Sequence, residues 1–74
     1  MLSESEKSSI KQQIESKKRE LDSRKQMVNN LEFSRKNSKE QSQISTYENQ
    51  ISFQRNCLDQ MQQEIDRLYN RLTS

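Results

Sequence analysis

The chain has 74 residues, 27% of them hydrophobic and 32% charged, and its 13 Lys and Arg against 11 Asp and Glu leave a net charge of +2. It contains no Gly, Pro, Ala, His or Trp and a single cysteine, Cys57. That length limits it to one small unit. The missing glycines remove phosphate-cradling loops, the missing histidine removes the commonest general base and metal ligand, and a lone thiol removes an internal disulfide and any Cys-rich metal site.

No stretch of about 18 apolar residues occurs that could cross a bilayer, and Met1 to Lys11 carries no apolar core of a secretory leader, so the expectation is a cytoplasmic or otherwise intracellular chain. A chain this short gains only a few kcal/mol from one hydrophobic core. With no disulfide and no metal to staple it, the expected remedy is association.

The first element is a helix over about 4–36. Ser3 followed by Glu6 has the spacing of a capping box at its start. Steps of three and four pick out Ile10, Ile14, Lys17, Leu21, Arg24, Val28, Leu31 and Arg35, a heptad seam with five apolar members and cations inside it. Glu15 with Arg19, Glu20 with Arg24 and Glu32 with Lys36 stand four apart in the favourable order, each contributing about 0.2 to 0.5 kcal/mol. Lys11, Lys18 and Lys25 recur every seven residues with Lys17, Arg19 and Arg24 beside them, forming a basic stripe suited to an acidic partner.

A polar stretch follows, Ser34-Arg-Lys-Asn-Ser-Lys-Glu-Gln-Ser-Gln43, without one apolar residue. Asn37 suits the left-handed conformation that ends a helix, and Ser38 with Gln41 suits a new capping box. These place a turn at about 37–38; Ser45 with Glu48 is a second candidate start.

The second helix, over about 39–73, carries the strongest pattern in the chain. Ile44, Tyr47, Ile51, Gln54, Leu58, Met61, Ile65, Leu68 and Leu72 follow a heptad seam with eight apolar members of nine. Gln54 is the polar exception, a residue type that fixes register at such a position. Phe53, Cys57 and Tyr69 lie beside the seam and widen the apolar face beyond what one partner helix covers. The two seams are out of phase: sevens counted from Val28 reach Ser42, not Ile44.

Equal arms of roughly 50 Å around a polar break predict an all-α protein, an antiparallel two-helix hairpin of coiled-coil type that associates into a helical bundle. In that arrangement Ile10 lies near Ile65, Ile14 near Met61, Val28 near Tyr47 and Leu31 near Ile44. The alternatives are one continuous rod of about 110 Å with a discontinuity in its supercoil, or a chain that orders only with a partner. Residues 1–37 hold nine cations and six anions, residues 38–74 four and five, so the arms are electrostatically complementary.

These features point to a non-catalytic protein–protein interaction module, a small adaptor, co-chaperone or assembly subunit without cofactor or metal. Its expected partner-binding residues are Ile44, Tyr47, Ile51, Phe53, Gln54, Leu58, Met61, Ile65, Leu68 and Leu72, with Lys11, Lys18 and Lys25 toward an acidic partner. A second copy, giving a four-helix bundle, or a different protein would serve. The acids are those of a helix surface, and Cys57 has only Arg55 as a nearby cation, which suits a packed thiol.

Three resemblances bear on function. An apolar seam around a central Gln54 resembles the helical motif of membrane-fusion SNARE proteins, although the layers upstream of Ile44 are lost in the polar break. Gln62-Gln-Glu-Ile-Asp66 resembles the Ser-Gln-Glu-Leu-Asp pentapeptide of small sporulation aspartyl-phosphatases, also helical hairpins, with three of five residues matching; it would imply Glu64 and Asp66 exposed toward a phosphorylated receiver domain. In size and architecture alone the chain looks like the co-chaperones of type III secretion needle subunits. A nucleic-acid-binding helix pair is a further alternative, using Lys11, Lys18 and Lys25 against phosphates, although acidic residues interleave and no aromatic platform stands among them.

Overall fold

The computed structural model describes Met1–Ser74 as two helices, α1 (Glu4–Asn37) and α2 (Gln41–Thr73), folded back on each other into an antiparallel hairpin. The rod is thereby excluded. At its start α1 has the expected capping box: the Ser3 Oγ accepts from the Glu6 backbone N–H at 3.2 Å, and the Glu6 carboxylate accepts from the Ser3 backbone N–H. Glu4 and Glu6 in the first turn and Arg35 and Lys36 in the last complement the helix dipole.

The connection departs from the sequence expectation. No residue adopts a positive φ, so Asn37 does not form a left-handed cap. It is the last helical residue, and its Nδ2 donates to the Phe33 carbonyl at 2.9 Å. Ser38 is extended (φ −83°, ψ 141°), with its N–H donating to the Arg35 carbonyl. Antiparallel helix axes stand about 8–10 Å apart, and Ser38–Glu40 bridge that gap in place of a tighter turn at 37–38. Helix α2 consequently starts at Gln41, with Glu40 as its N-cap. Ser38 then lies too early to cap it and contacts Gln43 instead, while Ser45 and Glu48 fall inside the helix.

Burial follows the two seams. Ile10, Ile14, Leu21, Val28, Ile51, Ile65 and Leu68 are buried, and Leu31, Ile44, Tyr47, Leu58, Met61 and Leu72 are half-buried beside them. The expected seam fails at Arg35, a cation in the last turn of α1, which is exposed. Ile10, Ile14, Leu21, Ile65 and Leu68 form one cluster toward the open end of the hairpin. The register also differs from expectation: an arrangement with Ile14 opposite Met61 sets Lys17 opposite Leu58, whereas Lys17 reaches Glu64. Each arm is thus displaced along the other by more than a turn, consistent with the longer connection.

The principal extents are 56 × 15 × 11 Å. The smallest matches the diameter of a single helix, so the hairpin is one layer with both broad faces open. Neither helix is long and apolar enough to cross a membrane.

Glu40 makes no side-chain hydrogen bond to the first turn of α2. Glu40→Ser is therefore expected to raise stability by about 1 kcal/mol by supplying that acceptor, measured as an increase in the thermal midpoint of the helical circular-dichroism signal.

Candidate interaction surface

Two polar contacts cross the seam where its apolar run is interrupted. The Arg24 guanidinium donates from Nη1 to the Gln54 Oε1 at 3.1 Å and lies 3.6 Å from the Glu20 carboxylate. Its Nε is buried with no acceptor. Lys17 donates to Glu64 at 2.6 Å. The expected role of Gln54 in fixing register thus has a partner, since the seam cation of α1 meets the seam amide of α2. This pair separates the five-residue cluster from Val28 and Ile51 nearer the turn.

The Lys17–Glu64 bond shifts both groups. The hydrogen bond to Glu64 raises the Lys17 ammonium above its ordinary value, and the same bond together with the lysine charge holds the Glu64 carboxyl below the usual carboxylate range. Lys18 is raised chiefly by donating to the Tyr69 hydroxyl. Its Nζ is 5.0 Å from the ring centroid; in contact with the hydroxyl, it sits at the polar end of the ring and not over its face.

The two broad faces differ in chemistry. One carries Lys11, Glu15, Lys18 and Tyr69 around a shallow groove whose floor includes Ile14 and Leu72, and, further toward the turn, an ion pair between Arg55 and Glu32. Here the expected basic stripe is in part engaged, because Lys18 is bound to Tyr69. The opposite face carries a groove lined by Lys17, Glu20, Arg24, Cys57, Gln60, Met61 and Glu64. Helical spacing continues it toward the turn: Phe53 stands four residues before Cys57, and Met27 stands three after Arg24 and seven after Glu20. Phe53 is 63% exposed and Met27 46%. Met27, Phe53 and Cys57, with half-buried Leu31 and Met61, form an apolar band flanked by charges of both signs.

Of the expected partner-binding residues, Ile51, Ile65 and Leu68 are buried inside the hairpin. Ile44, Tyr47, Gln54, Leu58, Met61 and Leu72 are half-buried on the seam. Most of the pattern is therefore spent on α1, and Phe53 alone projects its ring freely. Sequence reasoning missed Met27, because it lies outside the seam and only the register of the folded hairpin brings it to the level of Phe53. Phe33, 71% exposed on the other side of α1 from Leu31, was also missed. In the pentapeptide-like stretch, Glu64 is tied to Lys17 and Asp66 accepts from Gln62 at 3.0 Å. No cluster of three or more His, Cys, Asp or Glu side chains has the geometry of a metal site. No protein-family model, curated protein or solved structure matches the chain.

The shifts set a pH dependence. A carboxyl held low in the folded state contributes stability above its unfolded value of about 4.3 and loses it as pH falls through the folded value. A lysine held high contributes below about 10.4 and loses it as pH rises through its raised value. The thermal midpoint should form a plateau between those limits, and Glu64→Gln should lower the plateau while shrinking the acid-side decline.

Arg24→Leu should cost about 1 kcal/mol by leaving the Gln54 amide without its donor, and Arg24→Leu with Gln54→Leu should recover stability. The double variant should broaden cross-helix distance distributions between spin labels, since nothing polar then fixes the register.

Proposed function

We propose that the chain is a non-catalytic protein–protein interaction module, an adaptor, co-chaperone or assembly subunit that acts by helix packing in the cytoplasm or another intracellular compartment. The observation that carries this reading is the apolar band of Met27, Phe53 and Cys57 on a molecule one helix thick. Globular units hide their apolar stripes by stacking layers, and this hairpin has none to stack. Aromatic side chains framed by polar residues are the usual anchors of protein interfaces.

A photoreactive phenylalanine analogue at position 53, introduced in the cells that make the chain, tests this. A discrete covalent protein adduct is expected on irradiation. No protein adduct from a correctly folded hairpin would overturn the reading.

A further inference from the structure

We propose that the occupant of the Met27–Phe53 face is a second copy of this chain, joined about a two-fold axis parallel to the long axis of the hairpin into an antiparallel four-helix bundle. This rests on the reading of the chain as an interaction module and names its partner.

Area is the first argument. The hairpin exposes 5841 Å², whereas a compact monomer of 8.9 kDa exposes about 4,800 Å². The excess of about 1,000 Å² is comparable to the roughly 800 Å² that each partner buries in a standard stable interface.

Charge is the second argument, and it selects the axis. Two hairpins can stack face to face by rotation about an axis along their length or across it. Rotation across the length lays α1 on α1 reversed about its middle, which brings Lys17 of this face to the level of Arg24 of the second copy, like charge against like. Rotation along the length lays α1 on α2 of the second copy, so the Lys17 and Arg24 of this face look toward an arm that offers the Glu64 carboxylate. It also keeps every residue at its own level. Side chains that share a level within the hairpin therefore face each other between copies: Lys17 meets Glu64 of the second copy, Glu20 meets Gln60, and Met27 meets Phe53. Opposite charges meet and the two most exposed apolar groups of the face cover each other.

Light scattering on the full chain across a concentration series should give twice 8.9 kDa; a monomer at every concentration overturns the proposal. Phe53→Glu should weaken the dimer at least tenfold, and Phe33→Glu, equally exposed but off this face, should leave it unchanged. Equal weakening by both, or by Phe33→Glu alone, overturns the assignment of the face. Spin labels on Ser38→Cys in a Cys57→Ser background read the axis. Turns at the same end give separations of about 10–25 Å, whereas a separation approaching the 56 Å hairpin length overturns it. The photoadduct at position 53 separates the two levels of inference. An adduct of two chains supports the second copy, an adduct of another mass overturns it and keeps the module, and no adduct removes both.

Discussion

A pair of helices can hide only the line along which they touch. Every other property of this molecule follows from that restriction. With a thickness of 11 Å there is no interior away from the seam, and only seven residues are buried, all of them apolar seam positions. The seam itself is interrupted by Lys17 and Arg24 from α1, so the apolar contact is divided and not continuous. A hairpin of this kind holds its shape with a modest hydrophobic term, and small local contributions count for more than they would in a thicker protein. The capping box at Ser3, the ion pairs across the seam and the uncapped start of α2 are all of that size.

Those polar interruptions explain why the arms sit in one register. Apolar side chains at three-four spacing pack nearly as well after a slip of one heptad. A slip would carry Arg24 away from the Gln54 amide and Lys17 away from Glu64. Each would then face apolar neighbours without a partner, at the cost of desolvating a polar group. Selection against the slipped states thus resides in a few polar seam residues, and the apolar majority supplies attraction without specifying alignment.

The helices and their antiparallel pairing were legible because they rest on periodicity, which survives in sequence without coordinates. Ile10, Ile14, Leu21 and Val28 on one arm and Ile51, Ile65 and Leu68 on the other were all placed on seams and all are buried. Gln54 was singled out for register, and it meets Arg24. The connection was less legible. Ser38, Ser45 and Asn37 each match a local capping preference, and three overlapping preferences within ten residues do not say which wins. The distance between the axes decided it, and that distance belongs to the tertiary structure. The same holds for the seam register, which depends on the number of residues in the connection. Among surface residues, Phe53 was recognised from its position beside the seam, but Met27 was not, because its significance arises only when the opposite arm brings Phe53 to its level.

The uneven distribution of charge links folding to assembly. Within one chain the cation-rich arm pairs with the slightly acidic arm, and Lys17 with Glu64 is the point where that preference becomes a contact. Both side chains retain solvent exposure, at 34% and 48%, and an ion pair so placed contributes little by itself because water and salt screen it. Stacking a second layer above it changes those terms. The pair would lose solvent, its Coulomb attraction would strengthen as the local dielectric falls, and the cation would gain a second carboxylate from the facing chain. The same two residues would then help to set both the register within a hairpin and the orientation between hairpins. An apolar band alone would accept either axis of rotation. It is the placement of Lys17 and Arg24 on α1 and of Glu64 on α2 that makes one orientation preferable, since reversing a hairpin would set Lys17 against Arg24 of the facing chain.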